Sequence, residues 1–163
     1  MKQCYIYTKN SCCTNLHDEA IRAALETLIS SNCVDNYDDI IQYFCFGCNK
    51  NQGLYVNEKD RTITICSDFA ASIWTGGNSD DPSQLNVKQD TYDNCGLLIG
   101  DTIVIQSNAF KNATAFFNAV KPPFFENYTV VISSNPDYCY NAACMLTSAA
   151  FALVTLVVSL LVF

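Results

Sequence analysis

The chain has 163 residues, enough for one domain with its own core and too few for two of ordinary size. Sixteen acidic against nine basic residues give a formal charge of −7, and no Lys/Arg cluster interrupts that field, which excludes nucleic acid as a partner. Ten cysteines against two methionines argue against reducing cytosol and for an oxidising, secretory compartment.

Met1-Lys2-Gln3 runs straight into Cys4 without a charged-then-apolar leader, so further residues are expected upstream of Met1. From Thr14 to about Ser31, Leu16, Ile21, Ala24, Leu25, Leu28 and Ile29 recur at helical spacing. Thr14 stands as the cap and Asp18 and Glu19 in the first turn, which predicts a helix with one buried stripe. A second helix is predicted from Val34 to Cys45, its buried face made by Tyr37, Ile40, Ile41, Phe44 and Cys45. Gly47, Asn49, Asn51 and Gly53 break the chain into a turn. Arg61 to Ile65 then alternates as a half-buried strand, and Ser67 to Trp74 makes a short helix.

Residues 75–84, with Gly76-Gly77 and Asp80-Asp81-Pro82, read as a polar loop within the domain. Thr102 to Gln106 and Tyr128 to Ser133 are expected strands, and Asn112 to Val120 an expected short helix. The class is α+β: a small disulfide-rich globular domain of helices plus short strands, with no internal repeat. Asn112-Ala113-Thr114 and Asn127-Tyr128-Thr129 are acceptor triplets, so Asn112 and Asn127 are expected to carry glycans.

No charge follows Asp137, and Met145 to Phe163 is a mostly apolar run that would reach about 28 Å as a helix, enough for a bilayer core. The globular domain is therefore expected over residues 1–141. Residues 142–163 read as a hydrophobic C-terminal tail, either a GPI-anchor signal or a transmembrane helix. No Lys or Arg follows the run, which favours the removable signal. The small residues Asn141-Ala142-Ala143 make Asn141 the expected attachment point, with Ser133-Ser134-Asn135 as a second candidate. Either anchor makes the membrane a partner and implies the extracellular face of the plasma membrane.

The cysteine pattern is the most informative feature. Cys4-x7-Cys12-Cys13-Thr14 precedes a helix; Cys33-x11-Cys45-x2-Cys48-Asn49-x-Asn51-x-Gly53 follows, then Ile65-Cys66-x-Asp68 and Trp74. Over about residues 4 to 74 this resembles the folate-receptor family. The resemblance implies bridges Cys4–Cys45, Cys13–Cys48, Cys33–Cys95 and Cys66–Cys139. It leaves over Cys12, whose counterpart bonds a cysteine well upstream. It also implies a ligand groove, with Tyr43, Phe44 and Trp74 as its candidate binding residues.

Folate-binding members carry an aspartate where this chain has Tyr43, and a phenol cannot replace a bidentate carboxylate. Asp38 and Asp39, one helical turn earlier, substitute only in part. The expected ligand is therefore a small apolar or heterocyclic molecule other than classical folate. The alternative is a protein partner, on an adhesion module of the same scaffold.

Cys45-Phe46-Gly47-Cys48 also has the spacing of a zinc knuckle or a redox pair, but the other close pair, Cys12-Cys13, is too adjacent for tetrahedral chelation. The lone histidine, His17, sits at a helix start with no nucleophile motif beside it, and there is no phosphate-binding loop. The reading is a non-catalytic protein with no cofactor and no metal.

Overall fold

Alternation in Thr62–Cys66 turns Ile63 and Ile65 into the core, and this strand, β2, becomes the middle of a three-stranded sheet. The structure is a computed structural model that describes residues 2–7, 11–29, 38–75, 97–99, 102–104 and 110–142. In chain order the described helices are α1 (Asn15–Leu28), α2 (Asp38–Phe44), α3 (Ser67–Thr75) and α4 (Ala113–Ala119). The strands are β1 (Val56–Asn57), β2, β3 (Leu97–Ile99), β4 (Thr102–Val104) and β5 (Thr129–Ser133). The class is α+β, as the sequence implies.

β1 pairs antiparallel with β2 through Val56↔Ile63, whereas β5 pairs parallel with β2 from Thr62↔Thr129 to Cys66↔Ser133. A parallel neighbour requires a crossover, and α3 and α4 lie within it. The far edge of β5 is closed by a side chain. Asn118 of α4 accepts from the Val130 N–H at 3.0 Å and donates to the Val130 carbonyl at 3.1 Å, standing in for a strand. β3 and β4 form a separate antiparallel pair.

Thr14 caps α1, and its backbone N–H donates to His17 Nδ1 at 3.0 Å, the return arm of a capping box with histidine in the usual Glu/Gln position. The buried stripe is narrower than the periodicity suggests: Asp18, Ile21 and Leu25 face inward, while Leu16 is 76 % exposed. Leu16 lies two residues from Asp18, about 200° around the helix, so it cannot share that face.

Asp18 is drawn inward because it anchors the N-terminal segment. Its carboxylate accepts the backbone N–H groups of Cys4 at 2.8 Å, Lys2 at 2.6 Å and Gln3 at 3.2 Å. Burial disfavours its charge, yet these donors outweigh it and hold the carboxyl below its ordinary value.

α2 is described from Asp38, so the expected start at Val34 and the stripe position Tyr37 lie outside the described residues. Residues 76–84 of the expected loop lie outside them too, and β4 is described to Val104. Three bridges link the described parts: Cys4–Cys45, Cys13–Cys48 and Cys66–Cys139, with Cα separations of 5.5, 4.8 and 4.9 Å. These are three of the four expected pairs; Cys33 and Cys95 lie outside the described residues. Cys45 and Cys48 bond different partners rather than each other, which removes both the redox-pair and the zinc-knuckle readings of their spacing.

The three bridges converge on an aromatic centre. Tyr140, next to Cys139, lies wholly inside with its ring 5.3 Å from Phe69, 5.6 Å from Phe46 and 5.8 Å from Tyr55. Its hydroxyl donates to the Gln42 carbonyl at 3.1 Å and meets the Tyr7 hydroxyl at 2.6 Å. Its backbone continues the sheet, exchanging bonds with Thr64 and Cys66. Gly47 makes room here: a Cβ on it would stand 2.9 Å from the Phe125 ring.

No helix among the described residues is long and apolar enough to cross a membrane. The expected tail from residue 143 onward lies outside the described residues, and Ala142 is buried.

Candidate functional site

The three residues expected to line a groove are linked instead by a run of rings. Tyr43 meets Phe44 edge-on at 5.9 Å and Phe117 at 5.1 Å, Phe117 meets Phe116 at 5.1 Å, and Phe116 meets Trp74 at 6.0 Å. α2 supplies Tyr43 and Phe44, α3 supplies Trp74, and α4 inserts Phe116 and Phe117 between them. Trp74 is half-buried, Phe44 is buried and Tyr43 is 0 % exposed. Burial lifts the Tyr43 phenol far above its ordinary range, and its hydroxyl has no hydrogen-bond partner among the described residues. Burial likewise raises the phenols of Tyr7 and Tyr140, Tyr140 further. Tyr43 and Phe44 are thus buried, with Trp74 half-buried beside Phe116.

Phe44 reaches an opening. A cleft of about 140 Å³ lies between the start of α1 and the Pro122–Phe125 loop, lined by Cys12, Cys13, His17, Phe44, Gly47 and Phe124 among others. Phe124 is 55 % exposed with φ 75°, a left-handed conformation that costs an aromatic residue about 1 kcal/mol or more. Its ring stands edge-on to His17 at 5.0 Å. A second cleft of about 270 Å³ lies between the N-terminal segment and α2, lined by Lys2, Tyr5, Ile6, Asp38, Ile41 and Gln42 among others. Both fall short of the roughly 300–1,000 Å³ that drug-sized ligands occupy.

Large apolar side chains stand exposed: Tyr5 and Ile6 at the second cleft, Phe124 at the first, and Leu16, Leu54 and Tyr138 elsewhere on the described surface. The His17 ring is committed to the α1 cap through Thr14. Among the described residues no group of three His, Cys, Asp or Glu side chains could hold a metal ion.

Both glycan acceptors are exposed. Asn112 caps α4, its Oδ1 accepting from the Ala115 N–H at 2.9 Å, which leaves Nδ2, the atom glycosylation modifies, outside the cap. Asn127 lies in the turn before β5. Asn141 follows Tyr140 directly and is half-buried.

Sequence reasoning misses Tyr140 and Asn118, whose roles depend on long-range pairing. The adjacency of Tyr140 to a bridged cysteine is the one local signal for it. No family model, no curated protein and no solved structure matches this chain.

Proposed function

We propose that this chain is an extracytoplasmic, non-catalytic recognition domain on a folate-receptor-like disulfide scaffold, held at the extracellular face of the plasma membrane by a lipid anchor. The observation that carries the reading is the bridge set: Cys4–Cys45, Cys13–Cys48 and Cys66–Cys139 are the partners that the family resemblance implies. Three bridges over so short a chain also support an oxidising compartment. Exposure of both acceptor asparagines agrees with it.

The position of Tyr140 supports Asn141 as the attachment residue. Cleavage after Asn141 keeps Cys139 and Tyr140 in the domain, whereas cleavage at Ser133-Ser134-Asn135 discards a bridge and the centre of the core.

Of the two kinds of partner, a protein is the better supported. Tyr43 is sealed in the core, the described clefts are small, and apolar side chains stand on the surface instead. The small-ligand reading keeps one supporting feature, the opening beside Phe44. The test is titration of the oxidised protein with a pterin, a flavin and a sterol. The expected result is no saturable binding; tight saturable binding of any one returns the protein to the ligand-receptor reading. Release from cells by a phosphatidylinositol-specific phospholipase tests the anchor, and retention on the cell refutes it.

A further inference from the structure

The loop between α4 and β5 is built from two back-to-back turns, and one of its residues is out of character. The Phe125 N–H donates to the Pro122 carbonyl at 3.2 Å and the Tyr128 N–H to the Phe125 carbonyl at 3.0 Å, so each turn closes across four residues. Phe124 is the third residue of the first turn. Its φ of 75° is the one a type II turn demands there, and glycine or asparagine normally supplies it. A bulky ring in that place is disfavoured by the backbone, and more than half of the residue stays in water. Its neighbour Phe125 does the packing, against Phe46 at 4.8 Å and Tyr128 at 5.2 Å.

Asn127 is the third residue of the second turn and is exposed, as is Thr129 of the same acceptor triplet. Three peptide units separate Asn127 from Phe124, so their Cα atoms lie within about 11 Å of each other whatever the turn geometry. One sugar ring and two side chains cover that span.

We propose, on the secretory reading given above, that Phe124 is the platform for the first sugar of a glycan on Asn127, its open ring stacked against that sugar's apolar face. Attachment transfers the oligosaccharide from a lipid diphosphate carrier: the bond from Asn127 Nδ2 to the sugar C1 forms, the C1–phosphate bond breaks, and the amide gives up one proton as the diphosphate leaves. The N-acetylglucosamine so attached is amphipathic, with hydroxyls around its rim and C–H bonds over its flat face. Those weakly positive C–H groups suit the negative face of an aromatic ring. Because the sugar is tethered three residues away, the contact forms without the loss of translational freedom that a free ligand would suffer. Stacking takes Phe124 out of the apolar surface open to a protein partner and leaves Tyr5 and Ile6 at the second cleft.

The test uses the full chain purified in detergent from a eukaryotic secretory host. Mass spectrometry of its peptides gives the occupancy of Asn112 and Asn127. The glycans are then trimmed by an endoglycosidase to one sugar per site, and NMR should show nuclear Overhauser contacts between the Phe124 ring and the Asn127 sugar. The unsubstituted protein suffices for this. Urea unfolding of the trimmed protein supplies the energetic readout: Asn127→Gln should lower the folding constant about fivefold in the native chain and less than about twofold when Phe124→Ala is also present. An occupied Asn127 whose sugar makes no contact with the ring, or an equal loss in both backgrounds, overturns the proposal. A bare Asn127 beside an occupied Asn112 overturns it too and leaves the secretory reading standing. Both sites bare removes that reading as well.

Discussion

Removing the Cys66–Cys139 bridge should cost more stability than removing either of the other two, for a reason of chain topology. Its ends are 73 residues apart, and no other described bridge shortens that path. The chain-entropy relation then gives about 4.4 kcal/mol at 25 °C. Cys4–Cys45 and Cys13–Cys48 span 41 and 35 residues and would each give just under about 4 kcal/mol alone. They overlap, however. With Cys13–Cys48 closed, the short covalent path from Cys4 to Cys45 runs to Cys13, across that bridge and back from Cys48, about a dozen residues in all. Whichever of the two closes second is therefore worth only about 3 kcal/mol.

The assay is urea unfolding, without reductant, of the Cys66→Ala/Cys139→Ala, Cys4→Ala/Cys45→Ala and Cys13→Ala/Cys48→Ala variants. The first should lose about 1.4 kcal/mol more than the others, and those two should lose nearly equal amounts. Equal losses in all three, or a greater loss from an N-terminal bridge, would refute the reasoning.

Asp18→Asn should cost about 2 kcal/mol at pH 7, the value of hydrogen bonds to a charged acceptor. Because the folded carboxyl titrates below its ordinary value of 3.8, its contribution is complete above that value and is lost as pH falls through the folded one. The gap between wild type and variant, followed by urea midpoints across pH, should close in acid; a gap that stays constant far into acid contradicts the assignment. Tyr43→Phe removes a buried hydroxyl with no partner among the described residues and should raise stability by about 1 kcal/mol. A loss of that size in the same unfolding assay would mean that the hydroxyl is bonded. Tyr140→Phe strips partners from the Tyr7 hydroxyl and the Gln42 carbonyl and should cost about 2 kcal/mol, read as a lowered urea midpoint.

What the sequence reveals and what it hides divide along local and long-range physics. The α1 cap at Thr14, the strands at 62–66 and 129–133 and the helix at 113–119 follow from spacing and composition over a few residues. The parallel pairing of β2 with β5 does not. Cys66, where β2 ends, and Thr129, where β5 begins, lie far apart in the chain, and only the crossover that contains α3 and α4 brings the two strands side by side.

Leu16 misleads because an apolar residue at a helix start fits the spacing template, while the true stripe is set by Asp18, a polar residue made inward-facing by three backbone donors. Tyr43 and Phe44 are legible as aromatic residues on α2. Their burial is not, since it depends on Phe116 and Phe117 arriving from α4, far along the chain. Three of the cysteine pairings that the resemblance implies coincide with the described bridges.

The central claim is that sulfur bridges fix this fold, and the most direct measurement is a disulfide map of the oxidised protein by mass spectrometry of unreduced digests. The account predicts linked peptides for Cys4–Cys45, Cys13–Cys48 and Cys66–Cys139. Free thiols at Cys4, Cys45, Cys66 and Cys139, or a bond joining Cys45 to Cys48, would contradict it.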